Sequence, residues 1–326
     1  MIGRSSLSIV VCTYNRCGSL ADTLASLNAC ELPKDCSVEL LVVDNNSTDA
    51  TADTCAAFAR VTRVPFRRIM EVQQGLSFAR NRGISEASGD AIVFTDDDVL
   101  VNAEWLAVYA REFGDTGTGC AFGRVYPDWR GHKPAWFTNE LRPAYALLDY
   151  GDVRLIVTDI SREFFGANFA VRRDLLVSIG GFDVQLGRTK SKLFIGEETR
   201  VFVELLRRGS RIVYNPAIVV HHVIEEARKQ PAYLLRYYRD TAESLVYASL
   251  RASSVRLVLG IPLFRLRAIL MFGLLALPRL AVLLLRRDRG GLFALRLNGI
   301  RVARMLVLYV GAWMRMLSTP QKGGGP

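Results

Sequence analysis

Within the first hundred residues, short apolar runs rich in β-branched side chains alternate with segments whose apolar positions recur at helical spacing. That alternation restricts the chain to a mostly parallel sheet flanked by helices. It predicts strands at Leu7–Cys12, Val38–Val43, Phe66–Met70 and Ala91–Thr95. Helices are expected between them at Ser19–Leu27, Asp49–Ala59 and Ser77–Ala87, the second opened by the cap signal Ser47-Thr48-Asp49. In an open parallel sheet, ligands collect at the carboxyl ends of the strands. The unusual polar residues fall there: Thr13-Tyr14-Asn15-Arg16 after the first strand, Asp44-Asn45-Asn46-Ser47 after the second, and Asp96-Asp97-Asp98 after the fourth. No GxGxxG follows the first strand, which disfavours a hydride-transfer enzyme.

Three adjacent carboxylates at a strand end repel one another, so a fold that keeps them brings in a cation. Hard oxygen ligands suit Mg²⁺ or Mn²⁺, and Mg²⁺ commonly binds through one or two carboxylates plus substrate phosphates. Arg80 and Arg82, in GLSFARNRG at 75–83, offer charge for phosphate oxygens. A solvated acidic turn is the plain alternative. Further along, Glu197-Glu198 opens the helix-period segment GEETRVFVELLRRG at 196–209. Acids are favoured at a helix start in any case. One of them would serve as a general base toward an acceptor hydroxyl, and because neighbours on a helix point about 100° apart, at most one faces the site. His221-His222 follow the strand-like segment 217–220, with Arg228 six residues on. Phe165–Val171 reads as a further strand, and the aromatic stretch YPDWRGHKPAWFTNELRPAY at 126–145 as either a site cover or ordinary packing.

The chain of 326 residues is 50% hydrophobic and 23% charged, enough for one large or two modest cores. Its formal charge of +10 is unevenly placed: residues 250–326 hold 13 bases and one acid, Asp288, while residues 1–249 hold 29 bases and 31 acids. The basic tail is also strongly apolar, which points to a membrane surface and not to nucleic acid. Its longest charge-free run, 268–278, is shorter than the roughly 20 residues a bilayer crossing needs. Interfacial helices with snorkelling arginines are therefore expected, with a single span at 268–285 containing Arg279 as the alternative. A soluble helical subdomain or a dimer interface is the plain alternative. The start, MIGRSSLSIVVCTYNR, carries no cleavage-site pattern, and the six cysteines form no CxxC pair, so reduced, packed thiols are expected.

Taken together, the segments SIVVCTYNR (8–16), VVDNNSTDAT (42–51), GLSFARNRGI (75–84), FTDDDV (94–99), FGANFAVRR (165–173), GGFDVQLG (180–187) and GEETRVFVELLRRG (196–209) resemble a family 2 glycosyltransferase with the GT-A fold. The likeness covers about residues 5–225. It implies an α/β fold with a Rossmann-like, mostly parallel sheet over 1–225, outside which lies the apolar, basic tail over 226–326 that composition predicts to be helical. It also implies a nucleotide-sugar donor, UDP-sugars first among the candidates, with inversion at the anomeric carbon. Thr13, Tyr14, Asn15, Arg16, Asp44 and Asn46 would hold the nucleotide, Asp44 at the base edge. Arg80 would lie near the diphosphate, Asp97 near the ribose, and Asp98 with Asp96 at a Mn²⁺ or Mg²⁺ ion. Glu198 matches the usual general base, with Glu in place of the commoner Asp, and Glu197 the acid before it. His222 and Arg228 match an H-x-x-x-x-x-R spacing and would contact diphosphate or metal. The Q-x-x-R-W motif of processive synthases is absent, which favours single-sugar transfer. The expected acceptor is a membrane-linked saccharide or lipid at the cytoplasmic face of the inner membrane, in polysaccharide or glycoconjugate assembly. A silent sugar-nucleotide-binding scaffold is the alternative from another class. Haloacid dehalogenase phosphatases are similar in carrying Asp-x-Asp after an apolar strand, but on the first strand and not the fourth. Nucleotidyltransferases share the general fold but carry a glycine-rich loop that TYNR does not supply.

Overall fold

A computed structural model describes residues 5–251, 257–258 and 260–318; the low-complexity end QKGGGP at 321–326 lies outside the described residues. The chain forms two compact units, one of residues 1–132, 142–191 and 197–225, the other of 133–141, 192–196 and 226–326. The sequence reading leaves the two short segments 133–141 and 192–196 in the first unit. They group with the second because Trp136 packs edge-on against Phe293 at 5.3 Å and Lys192 pairs with Glu243 at 3.0 Å.

In the first unit, β1 (Ser5–Thr13), α1 (Cys17–Ala29), β2 (Cys36–Asp44), α2 (Thr51–Phe58), β3 (Phe66–Met70), α3 (Leu76–Glu86) and β4 (Ala91–Asp96) follow the predicted alternation. Then come β5 (Val99–Val101), α4 (Trp105–Gly114), β6 (Thr118–Asp128), β7 (Leu155–Val157), β8 (Phe169–Arg172), α5 (Arg173–Ser178), α6 (Glu197–Arg207) and β9 (Arg211–Val223). Among the described residues the sheet runs β3-β2-β1-β4-β8-β6-β9-β5, with β7 also on β9. The first four strands are mutually parallel and β8 is antiparallel to β4. Val10, Val11, Val42, Val43, Ile92 and Val93 are all fully buried, as continuous apolar runs must be when helices cover both faces. Register aligns the polar ends: Thr13 pairs with Asp44 and Cys12 with Asp96.

Two local differences from expectation bear on the site. The predicted strand Phe165–Val171 begins only at Phe169, because Phe165–Asn168 turns, with Asn168 N–H donating to Phe165 O at 3.3 Å. Asn168 is spent inside: its Oδ1 accepts from Trp105 Nε1 (2.9 Å) and Tyr109 OH (3.0 Å), and its Nδ2 donates to Arg124 O (2.9 Å). The Ser47-Thr48-Asp49 cap also works one step later than predicted. Asp49 accepts from Thr51 N at 3.1 Å and from Cys17 N at 2.9 Å, so one carboxylate serves the starts of both α2 and α1.

The second unit contains α7 (Pro231–Arg251), the short pair β10 (Leu257–Val258) and β11 (Ile261–Pro262), α8 (Leu263–Leu285) and α9 (Arg289–Ser318). Ala242, Val246, Ile261, Met305 and Tyr309 form its core. Helix α8 runs unbroken through Pro278 and Arg279. By length and composition it is long and apolar enough to cross a membrane.

Candidate active site

β4 ends at Asp96, and the turn to β5 carries Asp97 and Asp98, both nearly fully buried. Asp97 Oδ2 accepts from Thr13 Oγ1 at 2.7 Å, and its carbonyl accepts from Ser19 Oγ at 2.7 Å. Arg16 Nη1 bridges Asp97 Oδ1 at 3.0 Å and Asp98 Oδ2 at 2.9 Å, while its Nη2 binds Glu225. Burial pushes the Asp97 carboxyl up to about 7; Arg16 and Thr13 oppose this, and the charges of Asp98 and Asp96 add to it. Burial also raises Asp96, against the pull of Arg80. Arg16 supplies one positive charge to a cluster that is costly to ionise.

His222, in β9, reaches the same point. Its Nε2 lies 3.1 Å from Asp98 Oδ2 and its Nδ1 lies 2.7 Å from Tyr145 O. Both ring nitrogens face oxygens, and a ring held at Nδ1 by the Tyr145 carbonyl would direct Nε2 to a cation shared with Asp98. An oxygen and an imidazole nitrogen this close are a workable pair of ligands for one divalent ion, and such an ion commonly takes its remaining ligands from substrate phosphates and water. Among the described residues there is no group of three His, Cys, Asp or Glu side chains that would enclose a metal unaided. Asp96, expected beside Asp98 at the ion, has its Oδ1 3.7 Å from Arg80 Nη2.

Arg80 departs from its expected place near a diphosphate. On α3 it is only 2% exposed, with Nη1 donating to Glu197 Oε1 at 3.1 Å and to Glu198 Oε1 at 2.9 Å. Phe182 and Phe169 lie 5.3 Å and 5.9 Å from its guanidinium carbon. The cause is local: a Cβ on Gly83 would meet Val10 Cγ1 at 2.5 Å, so glycine lets α3 sit close on β1 and carries Arg80 inward one turn earlier. Both glutamates touch Arg80, yet they differ. The Glu197 side chain is 3% exposed and that of Glu198 17%. Burial and the neighbouring Glu198 charge push Glu197 up to about 8. For Glu198, the cost of burial is outweighed by Arg80, the helix-start N–H groups and the hydrogen bond from Glu197, leaving it below the usual carboxylate range. Glu197 keeps a proton while Glu198 is ionised and partly open, which is the state a general base needs.

The rim of strand ends is braced from both sides. Asn15 (φ 52°) and Asn46 (φ 66°) adopt the left-handed conformation that asparagine tolerates best among residues with a Cβ. Asn15 Oδ1 accepts from Thr48 N at 2.7 Å, and Asn15 N donates to Ser47 Oγ at 3.0 Å. Tyr14 is half-buried and Asn46 exposed. Asp44 is fully enclosed: Arg68 Nε (3.0 Å) and Nη2 (2.6 Å) bind Oδ2, and Ser47 N binds Oδ1 at 2.9 Å. Arg228 belongs to the second unit, buried on the turn Glu226–Lys229 with its guanidinium carbon 5.4 Å from the Tyr233 ring.

The model of the family described as "Glycosyl transferase family 2" matches residues 8–180, more than half of the chain. The chain belongs to glycosyl transferase family 2. This glycosyltransferase is 25% identical over 228 residues to a glucosyl-dolichyl phosphate glucuronosyltransferase of Haloferax volcanii, covering 69% of this chain and 71% of that protein. It is 26% identical over 232 residues to the succinoglycan biosynthesis protein ExoM of Rhizobium meliloti, covering 71% of each. Among solved structures, the mannosyltransferase PcManGT of Pyrobaculum calidifontis, in complex with GDP-Man and Mn²⁺, superposes with a TM-score of 0.56 at 18% identity, over 97% of this chain and 82% of that one. The shared architecture is the GT-A fold.

Three residues of the transferase site escape sequence reasoning. Glu225 lies 209 positions from Arg16, and no local pattern links the two. Ser19 reads as an ordinary helix residue. Gly166 left a signal, a glycine inside an expected strand, which marks close approach of another group. A Cβ there would lie 2.2 Å from Arg80 Nη2 and 2.4 Å from Glu198 Oε1. Gly166→Ala is expected to displace that pair and lower turnover about 10²-fold, with donor affinity little changed; steady-state kinetics beside donor titration checks it.

Proposed function

We propose that the enzyme transfers one sugar, with inversion, from a nucleotide sugar to a hydroxyl of a lipid-linked or saccharide acceptor. The observation that carries this reading is Arg80: it contacts the Glu197–Glu198 pair and lies 3.7 Å from Asp96, so a held carboxylate base and the acid triplet form one electrostatic unit. Glu198 takes the acceptor proton as the acceptor oxygen forms its bond to the anomeric carbon. The bond from that carbon to the diphosphate oxygen breaks on the opposite face, and its electron pair leaves with the nucleotide. Thr13, Tyr14, Asn15, Arg16 and Asn46 line the nucleotide side, with Asp44 behind them and Asp97 toward the ribose. Asp98 and His222 would hold Mn²⁺ or Mg²⁺, which when bound neutralises charge on the departing diphosphate. A relative named for a dolichyl phosphate substrate and one named for succinoglycan assembly support a lipid-linked or polysaccharide acceptor, which we place at the cytoplasmic face of a membrane.

A panel of UDP-, GDP- and dTDP-sugars with purified protein, in Mn²⁺ or in EDTA, tests this. Nucleotide release from one donor, abolished by EDTA, is expected. Equal release with and without metal would remove the ion from the reading.

A further inference from the structure

Helix α8 has two unlike faces. Leu266, Ile269, Phe272, Ala276 and Arg279 form a half-buried row with the period of a helix, ending at the buried Leu283. The opposite row, Leu270, Leu274, Leu277 and Leu285, is between 63% and 85% exposed. The one charge inside the long apolar segment is on the inner row, where Arg279 pairs with Glu140. The outer row therefore carries no charge between Ala268 and Leu285. A stripe of this size exposed to water is costly and marks an interaction surface.

A length of 23 residues, about 34 Å of helix, would suffice to cross a bilayer, so length does not decide what covers the stripe. The neighbouring helix does. α9 runs antiparallel beside α8: a Cβ on Gly291 would touch Leu283, and one on Gly260, just before α8, would touch Trp313. Between those two points α9 carries Arg296, Arg301 and Arg304, alongside the middle of α8. Arg296 is exposed, Arg301 donates to Asn298 Oδ1 at 2.7 Å, and Arg304 pairs with Glu243 of α7 at 2.7 Å. A crossing α8 would draw this charged layer and the Arg279–Glu140 pair to hydrocarbon depth. Each charge at the bilayer centre costs about 2.5–3.5 kcal/mol.

We infer that α8 is a monotopic anchor: it lies along one leaflet of an anionic bilayer, outer leucine row in the acyl boundary, with α7 and α9 on the aqueous side. Charge complementarity selects an anionic membrane over a protein partner. Arg267, Arg286, Arg287 and Arg289 are exposed at the two ends of the helix, and Asp288 is the only acid in residues 250–326. The inference stands independently of the sugar chemistry, since binding and topology are measured without turnover.

The test uses the full chain in co-sedimentation with vesicles of phosphatidylcholine, alone or with phosphatidylglycerol. Binding at least about tenfold tighter to the anionic vesicles, weakened by salt, is expected. Leu274→Glu with Leu277→Glu should lower that affinity by about 10- to 100-fold at an unchanged melting temperature. Topology is read separately, so that misfolding of the acidic variant leaves a decision. Cysteines at Arg267→Cys and Arg286→Cys, in membrane vesicles from expressing cells, are exposed to an impermeant maleimide and located by peptide mass spectrometry. Labelling of both from the same side supports a monotopic helix. Labelling of one only after detergent opens the vesicles overturns it in favour of a span. Failure to bind vesicles, with a dimer in solution that the acidic variant dissociates, overturns it in favour of a second copy of the chain.

Discussion

Glu198→Gln is expected to lose about 10²- to 10⁴-fold in turnover while binding the donor as the wild type does. The amide keeps the shape and the hydrogen bond to Arg80 but takes no proton from an acceptor hydroxyl. Glu197→Gln should behave oppositely. Burial and the Glu198 charge favour the protonated form of Glu197, and a neutral amide of the same shape stands in for it, so activity near neutral pH should stay within about tenfold. The pH profiles separate the two roles. Glu198 lies below the ordinary glutamate range, so the rate should hold down to mildly acidic pH. Glu197 is raised from 4.5 to about 8, so its contribution to stability is complete below about 4.5 and is lost as pH rises through about 8. The wild type should therefore melt at lower temperature as pH climbs across that window, and Glu197→Gln should flatten the decline. Melting curves from pH 5 to 9 beside rate profiles check both statements; an undiminished Glu198→Gln turnover would reassign the base.

Asp98→Ala should lower turnover by about 10³-fold, several kcal/mol of transition-state stabilisation, and should remove the response of donor binding to Mn²⁺. Asp98 stands between Arg16 at 2.9 Å and His222 at 3.1 Å. Removing it leaves Arg16 and His222 without the carboxylate between them, so some nucleotide affinity should survive through Arg16 even as the metal effect disappears. Isothermal titration of the nucleoside diphosphate with and without Mn²⁺ reads the two parts separately. Loss of binding that is equal in both conditions would place Asp98 in the nucleotide contact and not at an ion.

The sheet and the acid triplet were legible in the sequence because both rest on patterns a few residues long. Runs such as Ala91–Phe94 are apolar throughout since both faces are covered, and carboxylates at their ends have no packing reason to be there. What escaped depends on depth and distance. No spacing rule reveals that Arg80 turns toward Glu197 and Glu198 over 117 and 118 positions and not outward to a phosphate. That direction follows from how closely Gly83 lets α3 approach β1. His222 was readable as a histidine at a strand end and through its spacing to Arg228, without a partner. Its value comes from the antiparallel pairing of β5 with β9, which sets His222 opposite Val99, the residue after Asp98. The aromatic stretch 126–145 looked continuous, yet it divides between the two units, because Trp129 packs against Tyr145 and Trp136 against Phe293. In the tail, the sequence left both an interfacial helix and a span at 268–285 open; no local pattern places Arg279 beside Glu140, the partner it finds 139 positions away.

The central claim is a single displacement with Glu198 as base, and its stereochemical outcome tests it most directly. With the donor identified by nucleotide release, the anomeric configuration of the first-formed product, or of the sugar transferred slowly to water, is followed by proton NMR before mutarotation. The account predicts a configuration opposite to that of the donor from the earliest time point. A product that keeps the donor configuration would contradict it and require either a covalent intermediate or attack from the diphosphate side.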